Sequence, residues 1–361
     1  MKLSFVPETL KFKRPFSIAH GTRDSTPVVF TRLEHDGILG YGEASMPPYL
    51  GESHETVLSF LKQAEKTLQH ISILEDVSSI LARIDQLGKG NTAAKASVDI
   101  ALHDLLGKIR KTPCHKMFAD NTPTLKRARP EIQQHPLGRG ANLFTAYTIP
   151  IDEPAGLRAR IDDARDYKLL KVKLGSVKDK KLIEEIRKQT DKNIIVDANE
   201  GWADKHFALE MCAWLAERNV LLVEQPMPKE QLDDIAWLTS KSPIPIIADE
   251  GVQRFSDIEK VKGAYSGINI KLMKCTGLHE ARKMIEKARK CDMKIMIGCM
   301  SETSCGVSAA AQLAPLVDWI DLDGPLLIKQ DYFDGVKFSE GKILLNDLAG
   351  IGVTPVAGLF K

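Results

Sequence analysis

Two lysines two residues apart in an apolar run, Leu169-Leu170-Lys171-Val172-Lys173-Leu174, are the first residues whose types and spacing suggest chemistry. The run reads as a buried strand, and alternation along a strand turns Lys171 and Lys173 to the same face. Two ammonium groups held that close disfavour each other's charge, which lowers a lysine pKa towards the range of a general base. Alone, such a pair is more often a solvated strand end. Its weight comes from residues further along the chain: Asp197, Glu224, Asp249 and Lys271, then Asp321 and Asp323. The steps from Lys173 to Lys271 are 24, 27, 25 and 22 residues, each the length of one strand-plus-helix unit.

Three carboxylates from adjacent strands are the oxygen set that a hard divalent cation takes. Mg²⁺ fits, with water and substrate oxygens completing an octahedron, although Mn²⁺ and Ca²⁺ also accept such ligands. No histidine or cysteine stands at these strand ends, which argues against zinc. If the strands close into a ring of eight, Lys173 on the second and Lys271 on the sixth face each other across the metal. A carboxylate bound there would have its α-carbon between two amines. One lysine removes the α-proton while the metal stabilises the enediolate, and the other returns a proton to the opposite face. That inverts the carbon, as an epimerase or racemase does.

The elements needed to position these groups are legible from Phe144 onward. Strands are expected at Thr145–Ile149, Leu169–Leu174, Asn193–Asp197, Val220–Glu224, Ile244–Asp249, Gly267–Leu272, Lys294–Gly298 and Trp319–Asp323. Amphipathic helices such as Asp179–Gln189 and Leu278–Lys290 separate them. This alternation predicts an α/β fold, a TIM-like (β/α)7β barrel, with chemistry at the C-terminal strand ends. A doubly wound open sheet is the alternative, weakened by the lack of any GxGxxG turn.

The first third reads differently, as strands Lys2–Phe12, Thr26–His35 and Gly40–Ala44 followed by helices near Glu55–Gln69, Val77–Leu87 and Asn91–Lys108. Strands then helices without alternation indicate a separate α+β domain. Asp99, His103 and Asp104 on the third helix read as solvated or capping groups. Two polar loops, Ser17–Asp24 and Ser45–Gly51, are placed to wall a neighbouring site. Past the barrel, Val336–Ser339 and Ile343–Asn346 read as a hairpin, and Gly352–Pro355 as a loop.

Lys-Val-Lys at 171–173, Val-Asp-Ala-Asn at 196–199, Val-Glu-Gln-Pro at 223–226, Ala-Asp-Glu at 248–250 and Ile-Asn-Ile-Lys-Leu-Met-Lys at 268–274 resemble the enolase superfamily, muconate-lactonizing subgroup. A lysine base with Mg²⁺ is an established pattern of that superfamily. The resemblance covers almost the whole chain. It implies Asp197, Glu224 and Asp249 as ligands of one Mg²⁺ per subunit, Lys173 and Lys271 as the acid/base pair, and Lys171 as the partner tuning Lys173 and contacting the bound carboxylate. It also implies that the C-terminal segment completes the cap. The division is then 1–125 α+β capping domain, 126–142 linker, 143–325 barrel and 326–361 return to the cap.

Within that subgroup, Trp319-Ile320-Asp321-Leu322-Asp323-Gly324-Pro325 resembles the Asp-x-Asp of dipeptide epimerases, among them the alanine–glutamate epimerases. There the pair holds the free ammonium of a dipeptide, which implies a dipeptide as the small-molecule partner. An N-acylamino-acid racemase, an o-succinylbenzoate synthase or a muconate cycloisomerase would use the same lysines and metal but has no ammonium to bind. The side chain of the epimerised residue would be read by the two loops, with Arg23 a candidate cation for an acidic one, and by Cys299 and Met300 at the seventh strand end. The choice between an acidic and a hydrophobic side chain stays open at this level.

Composition sets the outer bounds. The chain has 361 residues, 43% hydrophobic and 27% charged, with a net charge of +2. That balance gives no global field to recruit nucleic acid or an anionic membrane. The six cysteines form no CxxC pair, which suggests reduced thiols and a cytoplasmic setting. No signal-like pattern and no membrane-spanning run is visible. The oligomeric state is not fixed, and a homo-oligomer stays among the options.

Overall fold

The structure, a computed structural model, describes residues 1–18, 21–73, 75–120, 143–151 and 154–360. The expected linker at 126–142 lies outside the described residues.

Strands β1 (Lys2–Ile18), β2 (Gly21–His35) and β3 (Ile38–Ser45) form an antiparallel sheet in the order β1-β2-β3. Asp36 and Gly37, at φ 49° and 75°, make the tight turn between the last two, the left-handed pair that a twisted hairpin requires. The polar loop expected over Ser17–Asp24 is instead mostly strand. β1 and β2 pair as far as Ile18↔Gly21, after a register break between Lys11 and Phe16. Ser17 and Thr22 also meet hydroxyl to hydroxyl at 2.8 Å, so these polar residues extend the ladder instead of leaving it.

Helices α1 (His54–Gln69), α2 (Val77–Asp85), α3 (Thr92–Ile109) and α4 (Cys114–Asp120) come next in the chain. The backbone of α3 lies almost on β3. A Cβ at Gly40 or Gly42 would sit 2.2 Å from Ala101 O or 2.0 Å from Ser97 O, which is why glycines stand there. Nearly every residue of α3 is buried, since the cap sheet covers one side and the barrel the other. Asp99, His103 and Asp104 are therefore not solvated. Asp104 accepts hydrogen bonds from Tyr41 N and Ile351 N (both 2.9 Å), and Asp99 caps a barrel helix.

The barrel alternates strand and helix: β4 (Ala146–Ile149), α5 (Pro154–Asp163), β5 (Leu169–Lys173), α6 (Asp179–Arg187), β6 (Asn193–Asp197), α7 (Lys205–Ala216), β7 (Val220–Glu224), α8 (Leu232–Lys241), β8 (Ile246–Ala248), α9 (Ile258–Val261), β9 (Gly267–Lys271), α10 (Leu278–Lys290), β10 (Lys294–Gly298), α11 (Ser304–Ala311) and β11 (Trp319–Asp321). The eight strands are parallel in sequential order, and a Thr145↔Ile320 bridge joins the first to the last. Outward residues such as Val172, Val196 and Ile270 pack under the helices in the main core.

The inward face is built in two layers. Ala146, Leu169, Ile195, Leu222, Ile247, Met296 and Trp319 form a separate apolar plug inside the ring. Two residues further along the chain, on the same face, come Lys171, Asp197, Glu224, Asp249 and Asp321. The period of two that turns a plug residue inward thus delivers a polar residue one layer up, at the C-terminal mouth.

Beyond the barrel lie α12 (Gly324–Leu327), β12 (Phe333–Asp334), the hairpin β13 (Lys337–Ser339) and β14 (Lys342–Leu344), and β15 (Thr354–Pro355). The stretch Gly352–Pro355, expected as a loop, ends as β15, which pairs with β12. Phe333 of β12 packs edge-on against Phe30 and Tyr41 of the cap sheet. The hairpin instead meets the barrel, with Ile343 N donating to Leu143 O and Thr145 N to Gly341 O.

Cap and barrel are joined through buried acids. Asp99 of α3 accepts Leu278 N at 2.6 Å and His279 N at 3.1 Å, so a cap side chain ends the orphan amides of barrel helix α10. Asp99→Ala should lower stability by about 2 kcal/mol, the usual cost of a lost charged cap, as read by urea unfolding. An unchanged midpoint would mean that the seam does not rely on this contact.

Candidate active site and metal centre

β5 ends on Lys173, and its Nζ lies 2.6 Å from Asp197 Oδ2. Lys171, almost fully buried, reaches Asp321 Oδ2 at 2.7 Å, Glu224 Oε2 at 2.6 Å and Asp197 Oδ2 at 3.3 Å. From β9, Lys271 Nζ lies 2.7 Å from Asp249 Oδ2. The expected residues Lys171, Lys173, Lys271, Asp249, Asp321, Asp323, Arg23, Cys299 and Met300 all line one pocket, which Tyr49 and Pro47 of the cap also help to wall.

Asp197, Glu224 and Asp249 are buried, and one oxygen from each lies within 4.8 Å of the others. Glu224 Oε2 is buried and receives no well-directed hydrogen bond, despite its short distance to Lys171. Three buried carboxylates converging on one spot fit a hard divalent cation. Burial, with Asp197 adding like charge, pushes the Glu224 carboxyl up to about 7. Asp249 moves the other way: burial alone would raise it, but Lys271, Lys274 and Lys171 hold it well below the usual carboxylate range.

The expectation that mutual repulsion lowers the lysines is corrected for Lys171. Burial acts in that direction, but Asp321, Glu224 and Asp197 outweigh it and hold the Lys171 ammonium well above its ordinary value. A neighbouring lysine is one charge, and the carboxylates around it are several.

The strand face expected to carry both Asp321 and Asp323 is shorter than the sequence suggests. The strand stops at Asp321, and Asp323 sits at the start of α12, yet both face the pocket. Asp321 Oδ1 is buried without a partner among the described residues, whereas Asp323 Oδ2 accepts Thr148 N at 2.6 Å. Burial, reinforced by Asp321, pushes Asp323 up to about 7. Arg23 projects from β2 with its guanidinium 5.9 Å from the Phe12 ring, and its Nη1 is buried with no partner among the described residues. Burial lowers its pKa. The Cys299 thiol is raised well above its ordinary value by burial and then by Glu302, so it is a wall and not a nucleophile.

Some residues of the site are not among those the sequence singles out. Lys274 closes the Ile268–Lys274 run, yet it bonds Asp249 from behind and does not line the pocket. Asn269, two residues before Lys271 and so on the same face of β9, donates to Glu224 Oε1 at 2.6 Å. That spacing could have identified it. Tyr49 donates its hydroxyl to Met300 Sδ at 2.9 Å, a contact between cap and barrel that no local pattern signals.

A barrel with three convergent carboxylates and lysines on opposed strands, under an α+β cap, is a recognised class of protein. Residues 1–118 match the mandelate racemase / muconate lactonizing enzyme N-terminal domain, and residues 156–357 match the enolase C-terminal domain-like family. The chain belongs to this enolase-superfamily family. It is 49% identical over 357 residues to the L-Ala-D/L-Glu epimerase of Bacteroides thetaiotaomicron, covering 99% of this chain and 88% of that protein. A substrate-liganded L-Ala-D/L-Glu epimerase from Bacillus subtilis superposes with a TM-score of 0.87 at 28% identity, covering 98% of this chain and 99% of that one. The dipeptide epimerase of Cytophaga hutchinsonii, complexed with Mg and D-Ala-L-Val, gives 0.87 at 27% identity, covering 100% of this chain and 98% of that one.

The raised Glu224 carboxyl gives a prediction with a sign. Below about pH 7 it holds a proton, which a metal must displace. Divalent-metal affinity should therefore fall by up to about tenfold per pH unit below 7, with proton release on binding. Calorimetry in buffers of different ionisation heat reads both quantities. Flat affinity from pH 5.5 to 8 without proton release would contradict the Glu224 assignment.

Proposed function

We propose that this chain is a Mg²⁺-dependent dipeptide epimerase that inverts the α-carbon of the C-terminal residue by proton transfer between Lys173 and Lys271. The observation that carries the reading is the placement of these lysines on β5 and β9, opposite walls of one barrel mouth, each beside a carboxylate of the cluster. Asp197, Glu224 and Asp249 would hold the ion, which when bound stabilises the negative charge that forms on the substrate carboxylate as the α-proton leaves. Lys171, beside three carboxylates, would offer its ammonium to the substrate carboxylate. Lys173 and Lys271 would take the proton from one face and return one to the other. The roles of cap (1–125 with 326–361) and barrel (143–325), joined through 126–142, belong to the same proposal: the cap supplies the wall that excludes water and reads the side chain.

Asp321 and Asp323 suit the ammonium of a free dipeptide. Asp321 Oδ1 lacks a hydrogen-bond partner among the described residues, and a charged donor would also draw Asp323 towards its ionised form. The Nη1 of Arg23, equally without a hydrogen-bond partner among the described residues, suits a carboxylate on the epimerised side chain. This favours an acidic residue such as glutamate, in line with the names of the Bacteroides and Bacillus relatives.

Lys173→Ala and Lys271→Ala should each stop epimerisation, yet each should still exchange the α-proton of one configuration with solvent deuterium. The two variants should differ in which configuration they exchange, and exchange of the same one by both would refute the two-base geometry. Arg23→Ala should reduce kcat/KM for an acidic residue by about tenfold to a hundredfold, matching the loss of one charged hydrogen bond of roughly 1.5–3 kcal/mol, while sparing hydrophobic ones. N-acetylation of the dipeptide should cost a hundredfold or more, on the order of 3 kcal/mol, by leaving Asp321 and Asp323 desolvated without a cation. A preference for N-acylated amino acids over free dipeptides would overturn the assignment in favour of a racemase.

A further inference from the structure

Each of the three cluster carboxylates has one oxygen engaged by a group other than the three pocket lysines. Asp197 Oδ1 accepts Asn199 N at 3.0 Å, a contact made by a left-handed turn in which Asn199 has φ 43°. Glu224 Oε1 accepts Asn269 Nδ2 at 2.6 Å. Asp249 Oδ1 accepts Lys274 Nζ at 2.5 Å. The opposite oxygens, Asp197 Oδ2, Glu224 Oε2 and Asp249 Oδ2, are the ones beside Lys173, Lys171 and Lys271.

Asp249 is the most constrained. Its backbone N donates to Gln225 Oε1 at 2.9 Å, and its backbone O accepts Lys274 Nζ at 2.7 Å. The same ammonium donates its third proton to Asn269 O at 3.1 Å, so Lys274 is fully used and almost fully buried. Pinned at its amide, its carbonyl and Oδ1, Asp249 can present only Oδ2.

We propose that Lys274 and Asn269, with the Asn199 amide, are positioning residues that restrict the three carboxylates to one oxygen each and so select the metal. The inference rests on the proposed Mg²⁺ site. Mg²⁺ takes six oxygens in a near-ideal octahedron, whereas Ca²⁺ takes six to eight and readily uses both oxygens of a carboxylate. Three single-oxygen ligands leave room for substrate and water around the smaller ion and deny the larger one its bidentate contacts. The positive charge of the Lys274 ammonium at Asp249 Oδ1 also repels a cation from making a second contact there. Releasing an outer oxygen should let the site bind bidentately and move its preference towards Ca²⁺.

The test measures Mg²⁺ and Ca²⁺ affinity by titration calorimetry on the full chain, unmodified and carrying Lys274→Met or Asn269→Ala. Loss of such an outer contact usually costs about tenfold to a hundredfold in metal affinity. Here the loss should fall on Mg²⁺ more than on Ca²⁺, so that the Mg²⁺/Ca²⁺ affinity ratio drops by about tenfold or more in each variant. A role in stability alone would weaken both ions together and leave the ratio unchanged, and that result overturns the proposal. Asn269→Ala removes no charge, so it decides the question if Lys274→Met does not fold. Failure of the unmodified chain to bind either ion would instead remove the metal site, and this inference with it.

Discussion

The structure depends on holding a layer of buried like charges at the barrel mouth. Asp197, Glu224, Asp249, Asp321 and Asp323 lie there at most 5% exposed, with Glu250 beside them; Lys171, Lys173 and Lys271 stand on the pocket side, and Lys274 lies behind Asp249. Desolvating an ion costs several kcal/mol, and pairing it inside a protein does little better than break even. The lysines do not balance the acids: four cations stand against six carboxylates. The imbalance appears as raised carboxyls, with burial and neighbouring acids pushing Glu250 up to about 8 and Glu224 and Asp323 to about 7. The protein groups alone thus favour keeping protons on the site, and one divalent cation has the charge to take their place.

That layer can exist only because its stability is supplied elsewhere. The apolar plug beneath it and the aliphatic strand faces outside it are fully packed, and the charged residues arise from the same alternation that builds the plug. The cap adds a second set of buried acids with a different use. Glu43 of β3 accepts Thr303 N, Thr303 Oγ1 and Gly306 N, which fastens the cap to the start of α11. The segment Cys299–Ser301 lies directly before that contact, and Tyr49 reaches Met300 from the cap side. The wall of the pocket and the anchor that holds the cap are therefore one piece of chain.

How far the sequence alone reveals this depends on how local each feature is. All eight barrel strands are legible to within a few residues, because apolar runs separated by amphipathic helices carry a strong periodic signal. The lysines and the cluster carboxylates are legible for the same reason, since each ends such a run. The cap hairpin is less so: Ser17–Asp24 looks like a loop by composition, and only pairing with its partner strand makes it sheet. The burial of Asp99, His103 and Asp104 is hidden too, because a helix covered on both sides looks polar when read alone. Lys274 and Asn269 sit inside the recognisable Ile268–Lys274 run, but what they touch comes from strands elsewhere in the barrel. The charge state of Lys171 is misjudged from its nearest sequence neighbour, because its spatial neighbours decide it.

The unpaired groups of the pocket carry the last step. Buried polar atoms in folded proteins are nearly always hydrogen-bonded, because leaving one bare costs about 1–3 kcal/mol. Among the described residues, Arg23 Nη1 and Asp321 Oδ1 are both buried without a hydrogen-bond partner around a single cavity. They differ in sign and origin: a cation from the cap and an acid from the last barrel strand. A ligand that satisfied both would carry an anion towards the cap and a cation towards Asp321. On the proposed reading, a free dipeptide ending in an acidic residue would bring both groups. An N-acylated amino acid lacks the cation and would leave Asp321 bare, and a hydrophobic side chain would leave Arg23 bare. If the proposed function holds, the cost of those bare atoms would let the pocket discriminate among such ligands.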